Sequence, residues 1–205
     1  MKKKKQKSKE ALINQWKKAN ISYQNYLNYI DGKEKKFELT YIDLLYVSNF
    51  KGGNASINED GAAVNEKLKE YSKHLMAINQ EFGVRYLKDL SNEELESLKN
   101  KALSFIRLTL SNSTSIDGLR YSYASALLHF HFPNLIPILD RRVLNGVGIK
   151  VEKNKQGQVI NIERYYRELI TRFYNYLRDN PNKSLRDFDK ENFIKPIEDN
   201  ETASD

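Results

Sequence analysis

Apolar residues recur along this chain with the alternating four- and three-residue spacing that places them on one face of an α-helix. The spacing predicts four long amphipathic helices. A capping box of Ser91 and Glu94 opens the third helix, and Pro181 follows the fourth. The predicted inward faces, in chain order, are Leu12, Trp16, Ala19, Tyr23, Tyr26 and Ile30; Val64, Leu68, Tyr71, Leu75, Ile78 and Phe82; Leu95, Leu98, Ala102, Phe105 and Thr109; and Ile162, Tyr166, Leu169, Ile170, Phe173 and Leu177.

Shorter elements are predicted between and after the long helices. Thr40 and Asp43 form a second capping box, which opens a short helix. A short terminal helix is predicted for residues 184–193, and apolar alternation within residues 149–162 predicts a small basic β-hairpin. The expected fold is mainly α, a two-lobed helical bundle with that one hairpin, built as a single domain over residues 11–195.

The stretch at residues 115–143 is the most informative part of the sequence. Its almost unbroken apolar run from Ala124 to Phe132 is too long for a typical strand and predicts a core helix ending near His131. Pro137 then imposes an extended segment, and Asp140 follows at the start of the next helix. A carboxylate at a helix start accepts backbone N–H bonds and gains from the positive end of the helix dipole, so Asp140 is predicted to be ionised and fixed.

Composition limits the class of protein. At 205 residues and 40% hydrophobic content, the chain is long enough to bury one sizeable core. It contains no cysteine, which excludes disulfides and thiolate metal sites. The Lys-rich start is not followed by an apolar signal segment, and no apolar run reaches the length of a membrane span. We therefore expect a cytoplasmic protein with no membrane partner, and a monomer.

The net charge of +7 is unevenly distributed. Residues 1–10 carry +5 and residues 196–205 carry −4, and both segments are expected to be disordered arms. Residues 11–195 therefore carry +6. A basic body favours a polyanionic partner through counterion release, although a solvated surface explains the same charge equally well.

Between Gly118 and Asp140 the sequence resembles the helix-hairpin-helix DNA glycosylase superfamily. When the two are aligned on Ala124, Gly118 takes the place of the first glycine of the family's hairpin and Ser122 takes that of its lysine. Asp140 takes the place of the catalytic aspartate, and its separation of 18 from Ser122 is that of lysine and aspartate in some lyase-competent members. The resemblance covers about residues 40–148.

The resemblance implies a helix-hairpin-helix motif and a DNA N-glycosylase that flips and excises a damaged or modified base from double-stranded DNA. In that family, the fixed carboxylate, here Asp140, stabilises the positive charge that builds on the sugar as the base departs. Arg120 replaces the second hairpin glycine. Ser122 lacks the amine of a Schiff base, so the implied enzyme is monofunctional, needs no cofactor and leaves an abasic site. The implied phosphate-binding residues are Gly118, Leu119, Arg120, Tyr121 and Ser122.

A second informative stretch, residues 48–56, breaks the short helix. Adjacent glycines there are predicted to expose backbone N–H groups and to allow a ligand to approach closely. The resemblance implies that this loop faces the DNA minor groove, although a polar turn between helices is the alternative. With the two arginines that follow Asp140, the predicted DNA-binding set of this region is Asn49, Lys51, Gly52, Gly53, Asn54, Arg141 and Arg142.

Other interpretations remain open at this point. Asp140 is also explained as a helix N-cap without chemistry, and the chain as a catalytically silent helix-hairpin-helix module that binds DNA or another partner. Excision of bulky modified bases of phage DNA is an alternative substrate. His129 and His131 are two residues apart and point to different faces of a helix, so no metal site is expected and both are predicted to be packed or capping residues.

Overall fold

A computed structural model describes residues 8–53, 56–152, 154–155 and 159–195. Within these ranges the chain forms eight α-helices, a 3-10 turn at Leu87–Asp89 and no β-strand. The helices are α1 (Lys9–Asp31), α2 (Tyr41–Phe50), α3 (Gly61–Phe82), α4 (Asn92–Arg107), α5 (Tyr121–His131), α6 (Arg141–Gly146), α7 (Ile162–Asp179) and α8 (Leu185–Phe193). The prediction of a mainly α fold is confirmed.

The four long amphipathic helices and both capping boxes are also confirmed. Thr40 opens α2 and Ser91 opens α4, each with its acidic partner three residues later. One predicted position is wrong, because α4 ends at Arg107 and Thr109 lies in the following turn, where its hydroxyl donates to the Ile106 carbonyl. α2 also continues to Phe50, past the break predicted at residue 48.

A single continuous core joins buried side chains from all eight helices. α5 lies at its centre and packs against α1, α2 and α4. The apolar run of α5 explains this position, since a helix with almost no polar face has to be surrounded by other helices. The division into two lobes and the helix-hairpin-helix motif remain predictions. The fully buried residues of α5 are Ala124, Ser125, Ala126, Leu127, Leu128, His129 and Phe130.

Side chains from two helices hold the extended segment that leads to Asp140. Ser125 of α5 accepts a hydrogen bond from the Leu139 N–H at 2.9 Å, and its neighbour His129 bonds the Ile136 carbonyl at 2.7 Å. From α7, the Tyr166 hydroxyl donates to the Pro137 carbonyl at 3.1 Å. Because the chain here has no sheet partner among the described residues, these bonds fix where Asp140 emerges from the core.

Three other predictions concern segments that are only partly described. In the region of the predicted hairpin, the Ile160 N–H donates to the Glu152 carbonyl at 3.1 Å, but residues 153 and 156–158 lie outside the described residues. The predicted acidic arm, 196–205, also lies outside them, as do residues 1–7 of the basic arm. α1 begins at Lys9, capped by Ser8, inside that predicted arm. None of the described helices is long and apolar enough to cross a membrane.

Candidate functional site

Asp140 lies where the extended segment meets α6, as the sequence predicts. Its Oδ1 accepts a hydrogen bond from the Arg142 N–H at 2.8 Å and caps the helix. Its Oδ2 lies 3.1 Å from Lys51 Nζ, which follows α2 in the chain. The side chain keeps 26% of its surface exposed, so this carboxylate is neither sealed in the core nor fully solvated.

The electrostatic surroundings of Asp140 favour its anion. Burial acts to raise the pKa of this carboxyl. The positive charge of Lys51 and the backbone N–H groups of Arg142 and Val143 outweigh burial, so the pKa of Asp140 lies below its ordinary value. The group is therefore a fixed negative charge at neutral pH, with no proton of its own to donate.

Asp140 opens onto a cleft of about 820 Å³ between α1, the end of α2, α6 and α8. The volume lies within the usual range of small-molecule and cofactor sites. Four of the sequence-predicted DNA-binding residues also line this cleft: Asn49, Lys51, Gly52 and Gly53. Asn54 lies outside the described residues. Residues that are more than 130 positions apart in the chain thus share one cavity, including Trp16, Phe50, Ile138, Arg186, Asp189 and Phe193.

The glycine loop is arranged differently from the prediction. Gly52 and Gly53 have φ angles of 88° and 68°, the left-handed conformation that glycine adopts without strain. Their N–H groups are not exposed for a ligand, since they donate to the carbonyls of Asn49 and Ser48 at 3.0 and 2.8 Å. The two glycines therefore terminate α2, and they contribute close backbone approach to the cleft without free N–H groups of their own.

Lys51 and Asn49 are both engaged by protein groups. The Lys51 ammonium pairs with Asp140, and only 13% of its side chain is exposed. The Asn49 amide donates to the Ser22 hydroxyl of α1 at 3.0 Å, although the residue as a whole is exposed. In this conformation the positive charge of Lys51 stabilises the Asp140 carboxylate rather than a bound phosphate.

The predicted hairpin segment, 118–122, runs into α5, whose first two residues are Tyr121 and Ser122, and the loop before the segment is tied to α3. Lys67 donates to the Ser115 carbonyl at 2.7 Å, and Gly118 has a φ of 85°, which suits a tight turn. Leu119 is buried, whereas Arg120 is exposed and caps α5 without a side-chain hydrogen bond. None of the five predicted hairpin residues lines the cleft: Gly118, Leu119, Arg120, Tyr121 and Ser122.

The two arginines after Asp140 also lie off the cleft lining. Arg141 is exposed on α6. The Arg142 guanidinium lies 5.7 Å from the Phe193 ring centre, and its buried Nη1 has no hydrogen-bond partner among the described residues. The Arg142 side chain therefore packs between α6 and α8, and its backbone N–H donates the capping hydrogen bond to Asp140.

Sequence reasoning missed two residues of the cleft, Arg186 and Asp189 on α8. Arg186 Nη1 donates to Asp189 Oδ2 at 2.6 Å, and the guanidinium stacks 3.8 Å from the centre of the Trp16 ring. One signal was available: Leu185, Asp189 and Asn192 follow the four-three spacing of an inward helix face, and all three are buried. An acid on such a face requires a partner or a function.

The two candidate histidines are packed residues, as predicted. His129 is fully buried, bonded through Nδ1 to the Ile136 carbonyl and through Nε2 to the Tyr23 hydroxyl at 3.1 Å. His131 packs beside the Phe37 ring, 5.8 Å between ring centres. Within the described residues, no cluster of three or more histidine or acidic side chains is suited to a metal ion.

Comparison with known proteins identifies no relative. No family model, curated protein or solved structure matches the chain. The function therefore has to be inferred from the cleft itself.

Proposed function

We propose that this protein is a monofunctional DNA N-glycosylase of the helix-hairpin-helix type, which flips a damaged or modified base out of the duplex and leaves an abasic site. The single observation that carries the proposal is the opening of Asp140 onto the cleft that Lys51, Gly52 and Gly53 also line. A carboxylate buried in the core or turned away from any cavity would have no such role.

The chemistry of the reaction fits a fixed carboxylate. Departure of the base leaves positive charge on C1′ of the deoxyribose, and an anion facing that carbon stabilises the charge. The same anion orients a water for attack on C1′. Asp140 meets both requirements, because its pKa is lowered and its position is fixed by Lys51 and the Arg142 N–H.

The shape and charge of the molecule support the substrate. A base outside the stack needs an enclosed cavity, and the cleft volume of about 820 Å³ exceeds the space that one base fills. Trp16, Phe50 and Phe193 supply aromatic surface on its walls. The basic body of the chain suits a DNA backbone.

The test is base release from a panel of duplex oligonucleotides, each with one modified base, followed by hot alkali that breaks the strand at abasic sites. We expect breaks with the wild type and none with Asp140→Asn. Asparagine is also a good N-cap, so this variant keeps the start of α6 and isolates the charge. Asp31→Asn, an exposed carboxylate at the end of α1, is the matched control and should cleave like the wild type.

Strand breaks that form before the alkali step would contradict the monofunctional assignment. An amine in the cleft would then be the nucleophile, and Lys51→Met would test it. Borohydride trapping of a covalent protein–DNA complex would give the same answer without a strand-break assay.

The alternative is a catalytically silent DNA-binding module. The observation in its favour is the Lys51–Asp140 ion pair, which together with the N-cap accounts for Asp140 without chemistry. DNA binding without base release over the whole panel, unchanged in Asp140→Asn, would support this alternative and exclude the enzyme.

A further inference from the structure

Asp189 is a second carboxyl group on the wall of the cleft, and the chemistry assigned to Asp140 does not use it. It lies on α8, lines the same cleft as Asp140, and is 3% exposed. Its Oδ2 is held by Arg186 at 2.6 Å. Arg186 is itself fixed between the rings of Trp16 and Tyr23, at 3.8 and 4.4 Å from their centres. A carboxyl this firmly positioned beside a cavity is suited to a directed proton transfer.

The surroundings of Asp140 and Asp189 shift the pKa values of the two carboxyls in opposite directions, as an anion and an acid require. Asp140 keeps 26% of its side chain exposed and has an ammonium and backbone N–H groups around it. Asp189 is buried, and burial raises the pKa of its carboxyl to about 6, although the nearby Arg186 guanidinium acts to lower it. The negative charge of Asp140 adds to the rise. Two carboxyls whose environments separate their pKa values are the arrangement by which enzymes assign an acid and a base.

We propose that Asp189 is the catalytic acid that protonates the departing base, an inference that rests on the proposed glycosylase function. As the C1′–N bond breaks, its electron pair goes to the base nitrogen, which takes the proton of the Asp189 carboxyl. Water then adds to C1′ and loses a proton, with Asp140 orienting the attack. The products are the neutral free base and the abasic sugar, and the proton released from water replaces the one that Asp189 gave.

The proposal defines a substrate class. A base that is uncharged in DNA leaves as an anion unless it is protonated, so it needs the acid. A base that already carries a positive charge, such as a ring-alkylated purine, leaves as a neutral molecule and gains nothing from Asp189. The cleft is therefore suited to bases that are uncharged at neutral pH.

Four charged or titratable groups on the surrounding elements interact electrostatically with Asp189. They are Arg186 on α8 itself, Asp140 at the start of α6, Lys51 after α2 and Tyr23 on α1. Arg186 and Lys51 favour the Asp189 anion, and Asp140 opposes it. The acid is in its active, protonated form below a pH of about 6 and is lost progressively above it.

The experiment compares single-turnover release of hypoxanthine, an uncharged base, with that of N7-methylguanine, a cationic one, between pH 5 and 9. In the wild type, hypoxanthine release should fall about tenfold per pH unit once Asp189 is ionised, whereas N7-methylguanine release should not follow that fall. At pH 5, where the acid is protonated, Asp189→Asn should slow hypoxanthine release by about 10²-fold or more, and it should flatten the pH profile between 6 and 8. It should change N7-methylguanine release by less than about threefold.

Three measurements guard against a merely structural effect. Asparagine at position 189 still accepts the Arg186 hydrogen bond, and Glu191→Gln on the outer side of α8 is a matched control that should change neither rate. The wild-type comparison of the two bases needs no variant at all. A carbon-13 titration should show the Asp189 carboxyl changing near pH 6, and at a lower pH in Asp140→Asn, because the neighbouring negative charge is gone.

The outcomes separate this inference from the proposed function. Base release that requires Asp140 but is equally fast in Asp189→Asn for both bases overturns the acid and leaves the glycosylase standing. Titration of Asp189 near its ordinary value of 3.8 has the same consequence. If the wild type releases neither base, the role of Asp189 as an acid is excluded. The proposed function is excluded as well only if no base of the whole panel is released.

Discussion

The Lys51 ammonium couples the loop after α2 to the start of α6. The two elements are 89 residues apart in the chain, and Lys51 Nζ and Asp140 Oδ2 meet at 3.1 Å with both side chains largely buried. Removing the cation would leave a part-buried anion with only backbone N–H groups around it. The pair therefore sets both the charge of the candidate catalytic residue and part of the stability of this region.

Lys51→Met should lower the free energy of unfolding at pH 7 by about 1–3 kcal/mol. The pKa of Asp140 is lowered in the fold, so its ionised form stabilises the protein above the pKa of the unfolded chain. That contribution is lost as the pH falls through the folded pKa, so the difference between variant and wild type should shrink in acid. Urea titrations at pH 7 and 3 measure it.

Lys36→Met is the control for the loss of a lysine. Lys36 pairs with Asp31 on the surface, with both side chains exposed, so no measurable change is expected. Equal losses in Lys36→Met and Lys51→Met would contradict the special role of the cleft pair.

At the scale of elements, helix positions could be predicted from the sequence because spacing and caps are local. Asp140 could be found for the same reason, since Pro137 and the following helix define it within four residues. The burial of Asp189 could be inferred from the spacing of Leu185, Asp189 and Asn192 within α8, but its place on the cleft could not, because that depends on α8 docking against α6. The prediction that the glycine loop exposes its N–H groups was wrong, because local sequence does not reveal that the N–H groups of both glycines donate to carbonyls of α2.

Gly146 at the end of α6 lies directly against the backbone of Asn192 on α8. A Cβ atom built at this position would lie 2.3 Å from the Asn192 carbonyl oxygen, which is backbone and has no freedom to move aside. Gly146→Ala should therefore separate the two helices and lower the free energy of unfolding by about 1–3 kcal/mol. Because α8 carries Asp189, base release should fall as well. Thermal unfolding and the release assay measure the two effects.

Gly61→Ala is the matched control for Gly146→Ala. Gly61 is the first residue of α3, and a Cβ there meets nothing within 4 Å. This substitution should leave the protein as stable as before or slightly more stable, because alanine has fewer conformations in the unfolded chain. A destabilised Gly61→Ala together with an unaffected Gly146→Ala would refute the close approach of α6 and α8.

For the whole molecule, the change of stability with pH depends on two buried histidines and a buried aspartate, whose pKa shifts have opposite effects in acid. Burial lowers the pKa of His129 to about 3 and that of His131 to about 4, so both are neutral in the fold. In the unfolded chain they gain a proton near pH 6.5, and stability is lost as the pH falls below that value. Asp189 acts in the opposite sense: its raised pKa favours the folded protein in acid, and this contribution is lost as the pH rises through about 6.

Substitution of each of the two histidines by phenylalanine should separate the loss of hydrogen bonds from the effect of protonation on stability. The buried ring nitrogens of His131 have no hydrogen-bond partner among the described residues, so His131→Phe should change stability little at pH 7.5. It removes one group that must be neutral in the fold, so its stability should fall less steeply between pH 6 and 5, by up to about 1.4 kcal/mol per pH unit. His129→Phe should lose about 2 kcal/mol at pH 7.5, since it breaks the bonds to Ile136 and Tyr23. Urea unfolding at pH 7.5, 6 and 5 measures all three proteins, and parallel pH slopes for wild type and His131→Phe would show that His131 titrates in the fold as it does in the unfolded chain.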